Sequence, residues 1–237
     1  MIRRTHMAGI LLATACLSPA CTNIVPPEEA AAFQRQQERI ARYAQLRDHL
    51  LHVETNAGDL YIQLLPQNPE DPMIQLLQWI DDGIYADMRF HRAVHEPIPF
   101  GVQVGDPATR KAGKEGFRYD QAGQGSEPPV VTWQGSSLPV VPGAVVLVGR
   151  PERRELSNHL FFSLTDQWFM EDSYLVVGFV VHGAELLPQI QPGTMIEDAE
   201  LVRRDKLDAT LSAGLAALPA AYARQLAELD PERPKAR

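Results

Sequence analysis

Cysteine is almost missing from this chain of 237 residues: there are two, Cys16 and Cys21, both close to the N-terminus. Beyond Cys21 no thiol remains. That excludes an intramolecular disulfide, a thiolate zinc site and a cysteine nucleophile from a folded body downstream, and it suits an oxidising compartment. Basic residues are also scarce, with 22 Lys and Arg against 30 Asp and Glu, a net charge of −8 and a pI near 5.4. Nucleic acid is therefore excluded as a partner, because displacing its counterions needs clustered Lys and Arg. The chain has no internal repeat, no glycine-rich phosphate loop and no Gly-x-Ser-x-Gly elbow. What it does have, 45% hydrophobic and 22% charged residues, is enough to bury one sizeable core. One principal globular domain is expected.

Residues 1–20 read as a signal peptide: Arg3 and Arg4 give a positive start, Ala8 to Leu17 an apolar run, and Ser18-Pro19-Ala20 a small-residue cleavage site. The apolar run is short for a membrane span. Cys21 follows at once, and the arrangement resembles a bacterial lipoprotein signal, with Ser18 where a Leu is usual and Leu17 one place further out. The resemblance implies lipidation of Cys21, attachment to a membrane through that lipid, and a place on the periplasmic side of the bacterial envelope. Cys16, after Ala13-Thr14-Ala15, is a second candidate, and a secreted protein cut after Ala20 is the alternative.

Residues 21–50 read as an anchor linker and a helix. Pro26 and Pro27 suit a helix start, Glu28 and Glu29 suit its first turn, and Phe33, Ile40, Tyr43, Leu46 and Leu50 recur as an apolar stripe for packing or spacing. His52 to Leu65 predicts a hairpin turning at Asn56-Ala57-Gly58-Asp59. Asp71 and Pro72 open a second helix, whose core face is Met73, Leu76, Leu77 and Ile80 and which Gly83 stops. Residues 108–142 are loop-like, with a short extended piece at Val130 to Trp133. Gly143 to Val148, Leu160 to Leu164 and Tyr174 to Val181 read as strands, so the class is mainly β, a sandwich or a barrel. Asp205 to Glu228 predicts a helix interrupted at Pro219.

The chemistry concentrates in YADMRFHRAVHEPIPFGVQVGD, Tyr85 to Asp106. Arg92 is permanently charged and presents its donors in a rigid fork, so it can hydrogen-bond a weakly basic nitrogen. Phe100 offers an apolar wall and Gln103 an amide. His91, His95 and Glu96 are ordinary polar neighbours rather than a metal set, and no cofactor is expected.

This segment resembles the cyclophilin signature, through Tyr85, Phe90-His91-Arg92, Phe100, Gln103 and Gly105-Asp106-Pro107. The resemblance implies a peptidyl-prolyl cis-trans isomerase. Its expected fold is a closed eight-stranded antiparallel barrel with two capping helices over residues 51–204, with helical extensions at 21–50 and 205–237. It implies Arg92 as the catalytic residue and proline-containing polypeptides as substrates of a monomer. Phe100, Gln103, Gly149, Phe162, Phe169 and Tyr174 are then the substrate-binding residues, Phe162 being the floor of the proline pocket. The chain departs from the family at Leu160, where a substrate-contacting Gln is usual, at Gly101, where Met or Leu is common, and in a longer loop between Arg92 and Phe100. Those departures favour the alternative of a cyclophilin-like binding lipoprotein with little turnover.

Overall fold

A computed structural model describes residues 26–66, 71–113, 118, 130–133, 138–206 and 218–227. The signal segment and Cys21 lie outside the described residues. The chain divides into two units, Met1–Gln36 and Gln37–Arg237. In the first, the described part is the opening of α1 (Pro27–Asp48), with Glu28 and Glu29 in the turn where the helix dipole favours them.

The second unit holds the rest of α1 and the sheet. Helix α1 ends at Asp48, earlier than the apolar stripe predicts, because His49 already pairs with Arg203 and starts β1 (His49–Thr55). Leu46 is the one buried residue of this helix among those described, and Ile40 stands in solvent. The predicted hairpin forms between β1 and β2 (Gly58–Leu64). Thr55 tightens its turn by accepting from the Ala57 N–H at 3.1 Å and donating to the Gly58 carbonyl at 2.6 Å, while Gly58 adopts φ 128°, a region open to a residue without Cβ. Helix α2 (Asp71–Asp81) buries Met73, Leu76, Leu77, Trp79 and Ile80 against the core.

Seven further strands follow: β3 (Arg92–Val94), β4 (Gly101–Val104), β5 (Val130–Thr132), β6 (Ala144–Arg150), β7 (Glu155–Ser163), β8 (Leu175–His182) and β9 (Ile196–Arg203). All pair antiparallel in the order β3-β4-β7-β6-β8-β2-β1-β9, with β5 also on β7. This corrects the expected closed eight-stranded barrel. The sheet has nine strands and curls through 198° with its edges 14 Å apart, an open half-barrel. The reason lies at the edges. Strand β3 is only three residues long. The segment before it meets the one before β9 through the isolated bridge of Arg89 with Met195 and bonds such as Phe90 N–H to the Thr194 carbonyl at 2.9 Å, rather than through a continuous ladder. Of the two expected capping helices α2 is formed, and among the described residues of 51–204 there is no second α-helix; Ala184–Gln189 is a 3₁₀ turn with Pro188 inside it. Proline removes the N–H that an α-helical turn needs.

Both faces of the sheet are buried in its middle. The concave core takes Val145 and Leu147 of β6 and Leu156, Leu160 and Phe162 of β7. The other face takes Ala144, Val146 and Val148 of β6 and Phe161 of β7. Alternate residues therefore serve two cores, as the pleat requires. The second core is completed by α3 (Ala220–Ala227), which begins directly after Pro219, through the fully buried Tyr222. Between Lys206 and Leu218 the predicted tail helix falls outside the described residues.

Candidate active site

The β3–β4 hairpin sets Arg92 directly opposite Gln103, and the β4–β7 ladder sets Gln103 opposite Phe161. Opposed residues on neighbouring strands share a face, so a cation, an amide and an aromatic ring stand in one row. The longer loop does not disturb this. Its extra length is taken up in residues 95–99, and the Phe100 N–H closes it on the Val94 carbonyl at 2.8 Å. On the far side of β7, a register shift between Val148 and Gly149 of β6 brings the Gly149 backbone into the site. A Cβ there would lie 2.1 Å from the Glu155 carbonyl oxygen, so only glycine permits this approach.

The result is a cleft of about 250 Å³ lined by Arg92, Phe100, Gln103, Val148, Gly149, His159, Phe161, Phe169, Met170 and Tyr174. The guanidinium carbon of Arg92 stands 5.5 Å from the centroid of the Phe100 ring, a cation–π arrangement that orients the fork while leaving the side chain in solvent. Phe100 in turn packs on Phe161 at 5.2 Å. Gln103 Nε2 lies 3.4 Å from His159 Nδ1, at the long end of a hydrogen bond.

Behind His159 stands His91, their ring centroids 5.4 Å apart. Burial, with help from His159 and Arg92, pushes His91 down to about 4, and Asp106 opposes the shift. Burial lowers His159 as well, again against Asp106. Both are thus neutral imidazoles near pH 7. The Tyr174 phenol is raised by burial and by Glu152, with Arg92 pulling the other way.

Six of the sequence-predicted residues, Arg92, Phe100, Gln103, Gly149, Phe169 and Tyr174, therefore meet in one cleft. Phe162 does not. It is buried in the concave core against Phe90 at 5.8 Å, and Phe161 lines the cleft instead. Leu160 is likewise corrected: it is 2% exposed in the same concave core, and His159 takes the cleft-facing place expected for the amide. A one-residue step along a strand reverses its face, and one step separates the expected register from the observed one. Gly101 is explained by the same ring, since a Cβ on it would stand 2.3 Å from Phe161 Cζ. His159, Phe161, Val148 and Met170 were missed by sequence reasoning. The polar Asn158-His159 pair directly before Leu160-Phe161-Phe162 was the available sign.

Residues 50–210 match the family model Cyclophilin type peptidyl-prolyl cis-trans isomerase/CLD. A Brucella suis biovar 1 (strain 1330) protein named "Probable peptidyl-prolyl cis-trans isomerase" is 28% identical over 151 residues, covering 63% of this chain and 75% of that protein. The "Peptidyl-prolyl cis-trans isomerase A" of Dickeya dadantii (strain 3937) is 24% identical over 147 residues, 60% of this chain and 70% of the other. Among solved structures, a Cryptosporidium parvum cyclophilin type peptidyl-prolyl cis-trans isomerase superposes with a TM-score of 0.50 at 17% identity, covering 66% of this chain and 99% of that one. Arg92, Phe100 and Gln103 of the signature line one cleft, the family model matches residues 50–210, and the chain belongs to the cyclophilin type peptidyl-prolyl cis-trans isomerase family.

Proposed function

We propose that the protein isomerises X-Pro bonds of polypeptides in the cell envelope, with Arg92 donating a hydrogen bond to the prolyl nitrogen as the amide twists. Family membership supports isomerase activity on proline bonds in general. The observation that carries the Arg92 role is its position at the cleft mouth, over the Phe100 ring at 5.5 Å and opposite Gln103. The barrier to rotation, roughly 18–20 kcal/mol, is amide resonance. In the planar ground state the prolyl nitrogen lone pair is delocalised and accepts poorly. As the bond twists the lone pair localises, so a fixed donor beside it binds the transition state better than the substrate. Phe100 and Phe161 receive the pyrrolidine ring, while Gln103 and the backbone of Gly149 hold the chain on either side. No bond is made or broken, and no cofactor is required.

The envelope location rests on residues 1–21 and their likeness to a lipoprotein signal, with Cys21 as the lipidated residue. A binding protein with little turnover is the second reading, favoured by the histidine that occupies the expected place of an amide. A proline-peptide isomerisation assay on the purified protein separates the two. Catalysed exchange that scales with protein concentration is expected, and a rate equal to the uncatalysed one, with peptide binding intact, would leave the binding reading.

A further inference from the structure

Large apolar side chains in solvent are few among the described residues: Phe33 and Ile40 on α1, and Ile98, Phe169 and Trp168 on the two segments that also carry cleft residues. Single exposed apolar residues are ordinary, but a set continuous with a cleft marks a binding surface. Here the rings are continuous. Phe161 packs on Phe100 at 5.2 Å, Phe100 stacks on Phe169 at 6.2 Å and 20°, and Phe169 meets the edge of Trp168 at 6.1 Å and 88°. The series starts at a buried ring and ends in water, with Phe169 at 52% and Trp168 at 79% exposed.

Trp168 does not owe its exposure to a loose loop. The side-chain amide of Gln167 donates to the Phe100 carbonyl at 3.1 Å, and its backbone N–H to the Val140 carbonyl at 2.8 Å. Met170, two residues on, is buried and donates to the Gln167 carbonyl at 2.9 Å. The turn Trp168–Met170 is thus fixed at both ends while Trp168 projects from it. A preorganised apolar surface binds with little loss of conformational freedom.

We propose that Phe169 and Trp168 form a subsite, continuous with the cleft, for a bulky apolar side chain next to the substrate proline. It rests on the isomerase reading above and narrows the substrate to unfolded or partly folded chains whose prolines lie in apolar segments. The spacing fits: an extended chain advances about 3.3–3.6 Å per residue, so a residue one or two places from a proline on Phe100 reaches the Phe169–Trp168 pair. Asp166, Glu171 and Asp172 flank the turn, and Asp166 and Asp172 are exposed. A basic side chain stacked on Trp168 is therefore the competing occupant. It is the weaker one, because charges in water at this exposure are screened and gain little from pairing.

The test uses peptides that differ only in the residue beside proline, Ala, Phe or Arg, placed before it in one series and after it in another. Isomerisation is read as kcat/KM and binding by calorimetry. Tryptophan emission supplies a third readout, because Trp79 and Trp133 are buried and Trp168 alone of the three is exposed. In one of the two series the Phe peptide is expected to exceed the Ala peptide about tenfold in kcat/KM, and to shift the emission to shorter wavelength on binding. Trp168→Ala should reduce that ratio to less than about twofold. Equal use of Phe and Ala peptides by the parent, a ratio unchanged in Trp168→Ala, or a preference for Arg would overturn the subsite and leave the isomerase reading standing. Preferential binding of Phe peptides without turnover would do the opposite, and absence of binding by every peptide would overturn both.

Discussion

Replacing Leu160 by Gln separates the two possible registers of β7 cleanly. Had Leu160 faced the cleft, Gln would restore an amide to it and improve substrate binding. In the observed register Leu160 is 2% exposed within the concave core that also holds Phe162, Val145 and Leu147. The substitution then removes a fully buried leucine, at about 1.5–3 kcal/mol of lost apolar burial. It also places an amide where its donors and acceptor lack partners, at about 1–3 kcal/mol. Together these make Leu160→Gln destabilising by about 2.5–6 kcal/mol, among the larger effects of single substitutions. His159→Gln, on the cleft wall, exchanges one largely buried polar side chain for another and should cost clearly less than Leu160→Gln. Urea unfolding followed by circular dichroism measures both as shifts in midpoint at constant slope. A Leu160→Gln protein as stable as the parent, or one with improved peptide binding, would refute the register on which the cleft assignment rests.

Three further expectations follow from the geometry and the sequence. His91 is held near 4 against an ordinary 6.5, so between those values the unfolded chain binds more protons than the folded one. Stability from this group is complete above about pH 6.5 and falls by about 3 kcal/mol on going to pH 4, with the lowered His159 adding in the same direction. Urea midpoints across that range test this, and a flat profile in the parent, or one that His91→Gln leaves equally steep, counts against it. Tyr222 is fully buried, edge-on to Phe179 at 5.5 Å, and donates its hydroxyl proton to the Pro139 carbonyl. Tyr222→Ala should cost about 3–5 kcal/mol and expose the α3 amides to hydrogen exchange, whereas unchanged protection would mean that α3 does not complete the second core. Cys21→Ala should move the protein from the membrane to the soluble envelope fraction, and an unmodified mature N-terminus by mass spectrometry in the parent would refute the anchor.

The parts of the fold that were legible in the sequence are those specified locally. Asn56-Ala57-Gly58 marked the hairpin turn, and Asp71-Pro72 with Met73, Leu76, Leu77 and Ile80 marked α2. Arg92, Phe100 and Gln103 were legible as a set because a short hairpin holds them in register. The face of β7 was not, because Leu160-Phe161-Phe162 is apolar on both sides of the pleat and each side has its own core. With no polar alternation, a step of one residue leaves no trace in composition. The open sheet was hidden for a different reason. Whether β3 and β9 close depends on two edges that are over a hundred residues apart in sequence, and no local preference records a gap of 14 Å. The 3₁₀ turn at Ala184–Gln189 could have been found, since Pro188 is the sign of a helix that cannot continue.

The central claim is that Arg92 stabilises the twisted amide, and the most direct measurement is kcat/KM for proline-peptide isomerisation by Arg92→Ala beside the parent. Arg92 is exposed, so its removal should leave the urea midpoint essentially unchanged and confine the effect to the reaction. We expect a fall of at least about tenfold, equivalent to about 1.4 kcal/mol of transition-state stabilisation, with KM little altered. Equal kcat/KM in parent and Arg92→Ala would contradict the mechanism.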